Sequence, residues 1–500
     1  MRLGLLLSIA LWSRTVEAAE SLYRCSADID DAIGSTSVLG IWGGLQCAVT
    51  VPAPKARHGA TLAALSGRSA AVVFGGEDPT QLFADVFVVD GANSLWVKVP
   101  PQGGSIPSGR SVHSAIAWTD AAGRPKHTVF AGYDGVLNDE IWTFDLTSGL
   151  WAYLSINIRP AARWHHTAVY WEKTGTSGGI VRTMTIFGGS TSHFAQPWMP
   201  STQTVVGDHS TKKGDVWHIS IDDAIPSWVA GTAIDSSLAR SQHAAVAWTQ
   251  QSDGSGNRMS IFCGRSSGST FFSDLQEYDL DTDAWAGIGV TTSGSGAPSA
   301  RGFHSASLYT DSNLRPKVAV YGGFGPEDSF SSMASIDQMA PLGHGSSATA
   351  AAPVSVLDLR SATWSTLAVT GSFPNNRDSY LAGSLFAHVA FAWFDAHANR
   401  NRLMISLGVK GTFCERPACS APWFDARSTH VLDLNTGIFS GDVRESASPA
   451  KRNRHMSAVG WSGTTANAQH GCSSTCADVS AGDTLVHGWL PQTFPVKNVW

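Results

Sequence analysis

One pattern recurs along most of this 500-residue chain, and it constrains the fold more than any other feature. From Arg110 the order is RSVHSAIAW, a polar insert, HTVFAGYDG, NDEIWTFDL, and then Trp151 after a short turn. The same order returns from Arg163 (RWHHTAVYW, MTIFGGS, GDVWHISID, Trp228), from Arg240 (RSQHAAVAW, MSIFCGR, SDLQEYDLD, Trp285) and from Arg301 (RGFHSASLY, VAVYGGF, APVSVLDL, Trp364). An earlier copy opens at Lys55 (KARHGATLA, AVVFGGE, ADVFVVD, Trp96). A looser one opens at Arg377, with Tyr380 for the histidine and Phe439 for the tryptophan, and a seventh opens at Arg452 with RNRHMSAVGW. Each unit holds four runs of alternating or apolar β-formers separated by Gly, Asp, Asn and Ser, which predicts four short strands with turns rather than helices.

A single four-stranded sheet cannot cover both of its faces. Repeating it radially lets each sheet pack on the next, so the expected architecture is an all-β, seven-bladed β-propeller of four-stranded blades. Glycine pairs allow close backbone approach or positive φ at the end of the second strand. The recurrent late tryptophan is expected to wedge between blades. The doublets in VVFGGE and VAVYGGF, the strands DVFVVD and DEIWTFD, and the late Trp together resemble kelch repeats. The likeness covers residues 55–500, with departures at Ala131-Gly132, Cys263-Gly264 and the single Gly408. Kelch propellers often close by a mixed blade. Here SVLGIWGGLQCAV, with Trp42 spaced from Lys55 as other late tryptophans are from the next unit, reads as a fourth strand without a blade before it. Residues 19–50 are thus the expected closing segment, pairing with the C-terminal KNVW around Val499.

Composition narrows the function classes. With 43% apolar residues the chain can bury a large core, and a formal net charge of −6 without any basic run argues against nucleic acid as a partner. Residues 1–18 read as a removable signal peptide: Arg2, an apolar stretch from Leu3 to Trp12, and small Val16 and Ala18 before a cleavage point. Ten apolar residues are about half of a bilayer span, so no membrane insertion is expected and the chain reads as secreted. Seven cysteines suit that compartment: Cys25, Cys47, Cys414, Cys419, Cys472 and Cys476 are expected in disulfides, and Cys263 is left over as a buried, unreactive thiol.

Chemistry is harder to place. The Arg-x-x-His pairs (Arg110/His113, Arg163/His166, Arg240/His243, Arg301/His304, Arg452/His455) invite a catalytic reading, but a constellation present in nearly every repeat belongs to the repeat. Asp279, Asp281 and Asp283 imitate a calcium loop without its glycine and glutamate, so an ordinary turn is expected. A secreted ring of this kind also resembles copper radical oxidases that oxidise galactose. None of the eight tyrosines here precedes a histidine, and only Tyr278 is near Cys263 in sequence. The expectation is therefore no catalysis, no cofactor and no metal. Binding of an extracellular protein or glycan is the favoured alternative. Three long insertions, roughly residues 190–213, 324–352 and 409–427, all fall between second and third strands and so share one face. The candidate binding residues are His193, Phe194 and Trp198 in the first, Phe330 in the second, and Phe413, Arg416, Trp423 and Phe424 in the third.

Overall fold

The computed structural model describes residues 53–192, 211–325, 354–371 and 385–440, together with the short strands Tyr23–Arg24 and Ala48–Val51. Within those spans, 79, 93–94, 176–177, 224, 251–255, 267–269, 287–294, 324, 386, 411–423 and 426–428 are not described. Six blades follow one another, each with a four-stranded antiparallel core. Blade one is Thr61–Ala64, Ala70–Phe74, Val86–Asp90 and Leu95–Val99; blade two is Ser114–Thr119, Pro125–Tyr133, Leu137–Asp145 and Leu150–Tyr153. Blade three is Thr167–Thr174, Ile180–Phe187, Val216–Ser220 and Trp228–Ala230; blade four is Ala244–Thr249, Asn257–Phe262, Leu275–Asp279 and Ala284–Trp285. Blade five is Ser305–Thr310, Pro316–Tyr321, Val354–Asp358 and Thr363–Leu367; blade six is Val389–Asp395, Arg400–Ser406, Thr429–Asp433 and Ile438–Ser440.

The strand patterns follow from sheets stacked on both sides. Middle strands such as Ala70–Phe74 and Val86–Asp90 are buried along their whole length, whereas the outermost Leu150–Tyr153 buries only its tryptophan. An aspartate ends the third strand and folds the turn to the fourth. Asp145, Asp279, Asp358 and Asp433 each accept from the backbone N–H groups two and three residues on. Asp279 and Asp281 thus belong to a turn, as their alignment with the other units implies, with Asp281 also accepting from Asn257.

The hydrophobic core is divided among the blade junctions. Phe74 of blade one packs against Trp151 of blade two at 5.0 Å between ring centroids. Phe130 meets Trp228 at 5.0 Å, Phe187 meets Trp285 at 5.3 Å, Phe262 meets Trp364 at 6.1 Å and Tyr321 meets Phe439 at 6.2 Å. The late aromatic of blades two to six is therefore a wedge against the residue that precedes the glycine pair of the blade before.

The ring closes at six blades, which corrects the expected seven. First strands lie side by side around the axis, and the first strand of blade six lies against that of blade one. The second residue of each glycine pair donates its N–H to the carbonyl that precedes the next blade's first strand: Gly76 to Arg110, Gly132 to Arg163, Gly189 to Arg240, Gly264 to Arg301 and Gly323 to Leu385. Gly408 of blade six makes the same bond to Arg57 of blade one at 2.8 Å, leaving no opening for another blade between them. The seventh unit, from Arg452, lies outside the described residues, as do Trp42 and Val499. The described end of the expected closing segment, Ala48–Val51, instead extends the outer edge of blade one, with Val49 opposite Lys98 and Val51 opposite Trp96.

Two registers also differ from the sequence reading. In blade one the arginine slot is Arg57 rather than Lys55, and Ala60 rather than His58 holds the histidine slot, as their hydrogen bonds show. In blade six Leu385 and His388 hold the slots assigned to Arg377 and Tyr380, which lie outside the described residues.

Four motif histidines reach back to a hydroxyl on the first strand of the preceding blade. His113 Nε2 meets Thr61 Oγ1 at 2.7 Å, His166 meets Ser114 at 2.7 Å, His243 meets Thr167 at 2.8 Å and His388 meets Ser305 at 2.8 Å. Where blade six meets blade one both partners are missing together, Ala60 standing for the histidine and Val389 for the hydroxyl. Replacing both partners of a buried hydrogen bond by apolar groups is nearly neutral, whereas replacing one strands the other. His304 is so stranded: Ala244 stands in the hydroxyl slot, and its Nε2 has no hydrogen-bond partner. Ala244→Ser is expected to stabilise the protein by about 0.5–1.5 kcal/mol in chemical denaturation. Unchanged or lower stability would contradict this account.

Candidate binding site

Strand-two-to-three connections and the linkers that enter each first strand emerge on the same face. Around the axis there, blades one to four each contribute a residue just after the motif arginine and one just after the glycine pair. Antiparallel bridges join them as His58 with Glu77, Ser111 with Tyr133, Trp164 with Ser190 and Ser241 with Arg265. These pairs form the mouth of the axial channel.

Immediately below lies a ring of backbone in the left-handed region. Gly59, Val112, His165, Gln242, Phe303 and Ala387 have φ between 49° and 63°. The N–H of each from Val112 onward donates to the carbonyl of the one before, at 2.8 to 3.1 Å. Six residues spaced as hydrogen-bonded neighbours enclose a circle roughly 9 Å across. On this ring Val112, His165, Gln242 and Phe303 are all buried, and His165 meets Phe303 edge-on at 4.9 Å. Positive φ at valine and phenylalanine is costly, and such strain persists only where the surrounding bonds over-determine it.

The mouth is polar and charged. Ser111 donates to Glu77 at 2.9 Å, and His58 Nε2 lies 3.5 Å from the same carboxylate oxygen. Across the axis, Ser190, Ser192 and Thr211 form a hydroxyl cluster at the base of the blade-three insertion, where Lys212 is paired to Ser190 through the backbone. Burial, with the Arg265 guanidinium nearby, pushes the Lys212 ammonium down to about 7. Burial likewise holds the His165 imidazole well below its usual range, and the charges of Lys212 and His58 add to the effect. Arg265 itself sits 5.4 Å from the centre of the Phe271 ring.

The motif arginines serve the frame rather than the mouth. Arg163 donates to Gly188 O at 2.9 Å and forks onto Asp215 at 2.8 Å through both terminal nitrogens. Arg240 repeats this with Cys263 O and Asp274, Arg57 with Gly75 O and Asp85, and Arg110 with Ala131 O and Glu140. All are buried. Cys263 is a buried free thiol pushed up to about 12 by its burial. It packs with Val318 and Leu357 between blades four and five, whereas Tyr278 packs with Trp285 between blades three and four.

Of the binding residues expected from sequence, His193, Phe194, Trp198, Phe330, Phe413, Arg416 and Trp423 lie outside the described residues. Phe424 is described in its backbone alone, paired with Lys410 in a short ladder at the base of the blade-six insertion. The six cysteines expected in disulfides also lie outside them, in side-chain terms. All three insertions do connect second to third strands, in blades three, five and six. The mouth residues Glu77, Tyr133, Lys212 and Arg265 went unnoticed in the sequence, and His58 was read there only as the motif histidine of the first unit. Their signal was present: they, or their immediate neighbours, occupy slots that differ from unit to unit beside slots that repeat. Among the described residues no group of three or more His, Cys, Asp or Glu is placed to hold a metal ion, and no helix is long and apolar enough to cross a membrane. No family model and no curated protein matches this chain.

Proposed function

We propose that this chain is a secreted, kelch-type propeller that captures an extracellular protein or glycan on the face carrying the axial mouth, and that it works by binding rather than catalysis. The observation that carries the reading is that the three longest insertions and the charged mouth share that face. A rigid ring with its sequence variation gathered at one end is how scaffolds present recognition loops. The glycine pairs after Phe74, Phe187 and Tyr321, with the wedging tryptophans, support the kelch assignment.

The test uses a glycan array and a panel of secreted ectodomains against the full chain. Replacing the blade-three insertion around Trp198 and the blade-six insertion around Trp423 by short turns is expected to abolish capture with little change in stability, since loop length alters closure entropy slowly. Substitutions at Lys173 or Arg315, on the opposite face, are expected to leave capture intact. Capture that survives both loop replacements, or an oxidase activity that appears on adding copper, would overturn the proposal.

A further inference from the structure

We propose that the ring opens and recloses at the junction between blades six and one, a hinge built into the fold, while the other five junctions stay shut.

Three differences at that junction carry it. The first is a missing side-chain bond. At four of the other five junctions a motif histidine bonds a hydroxyl on the preceding blade's first strand, at 2.7 to 2.8 Å. Here Ala60 and Val389 hold those two slots, and neither side chain has a polar atom. The second is in the packing. Elsewhere the ring that precedes the glycine pair meets the late aromatic of the next blade. Ser406 stands in that place in blade six and bonds Thr429 of its own blade at 3.0 Å, while Trp96 of blade one meets Phe87 of its own blade, 6.3 Å between ring centroids. The third is on the axis. Val112, His165, Gln242, Phe303 and Ala387 each donate a backbone N–H to the axial residue before, but among the described residues Gly59 makes no such bond to Ala387. The axial circle is broken at this one place.

Chain connectivity acts in the same direction. Every other pair of neighbouring blades is consecutive in the chain and joined by a linker, whereas blades one and six are built from separate stretches, residues 61–99 and 389–440, and no described strand is shared between them. Parting them therefore breaks noncovalent contacts alone. Those contacts are the bond from Gly408 N–H to Arg57 O at 2.8 Å and the approach of the blade-one turn to blade six, where a Cβ on Gly91 would lie 3.0 Å from the rings of Phe391 and Trp393. Local opening follows the boundary with the fewest ties, and a packed interface tends to have two discrete states, shut or parted. Gly408 immediately precedes the blade-six insertion, so opening carries the foot of that insertion away from blade one.

Hydrogen exchange at residue resolution, on the full chain at about pH 7, tests this. The equivalent amides of Gly76, Gly132, Gly189, Gly264, Gly323 and Gly408 make bonds across the six junctions that are alike, at 2.8 to 3.0 Å, so differences among them report opening rather than bond length. Gly408 is expected to exchange about tenfold or more faster than each of the others. Installing the missing pair, Ala60→His together with Val389→Thr, is expected to slow Gly408 about tenfold and leave Gly132 unchanged, whereas Ala60→His alone is expected to give no slowing, because its imidazole has no hydroxyl to meet. Exchange at Gly408 no faster than at the other five, in the unmodified protein, would overturn the proposal whatever the variants do. Faster exchange at Gly264 than at Gly408 would move the hinge to the junction where His304 is stranded, and would overturn it too. So would a folded double variant whose Gly408 rate is unchanged.

Discussion

Acidification from about pH 7 to about pH 5 is expected to unfold the propeller. His113, His127, His165, His166, His243, His304 and His388 are buried in the frame, and burial lowers the affinity of each for a proton. His127 and His304 are brought down to about 3 and His388 to about 4. A histidine depressed in the folded state favours the fold above the free value near 6.5, and that advantage is lost as pH falls below 6.5 toward the folded value. At about pH 5 the unfolded chain binds close to one proton per histidine that the folded chain refuses, a cost of about 2 kcal/mol each. For the seven histidines that is roughly 14 kcal/mol, the size of a whole domain's stability. Circular dichroism against pH, with potentiometric proton uptake, checks it. A ring that keeps its melting temperature at pH 5 would show that these histidines are protonated in place.

Arg240→Met is expected to destabilise the protein by about 3–5 kcal/mol, the usual cost of removing one partner from a buried ion pair. Its guanidinium bonds the carbonyls of Leu238 and Cys263 and both carboxylate oxygens of Asp274, at 2.6 to 3.0 Å. Methionine fills the volume but leaves these acceptors without donors. Arg240→Lys is expected to recover little, because one ammonium cannot span the fork. Urea denaturation measures both. The same change at Arg110 is expected to cost less, because the Glu140 side chain is 38% exposed and regains water when its partner goes. Equal losses at the two positions would place the energy in packing rather than in the fork.

The blade was legible because its signals are local. Alternation, glycine pairs and the late tryptophan each act within a few residues, so Phe130-Ala131-Gly132 and Phe262-Cys263-Gly264 keep the fold of the true glycine pairs: Ala131 and Cys263 adopt φ of 60° and 54°. Where matching by residue type failed, the chemistry had changed at the seam of the ring. Ala60 and Val389 replace the histidine and its hydroxyl, and Ser406 takes the slot that carries an aromatic before the glycine pair in blades one to five. With no histidine in the slot, His58 two residues earlier matches the motif by residue type, and the expected opening of blade one shifts with it.

The mouth was invisible for a different reason. Glu77, Lys212 and Arg265 are scattered over nearly two hundred residues and belong to no run or motif; only the ring brings them to one axis. Sequence by itself determined the strands, the turns and the recurrent late aromatic, because these depend on side-chain patterns that repeat within each unit. Tertiary structure alone decided that six blades close the circle and that a charged rim gathers at one end of its axis. The number of blades follows from the angle at which whole sheets pack, and the rim from which residues that angle sets face to face, and neither quantity is a property of any single repeat.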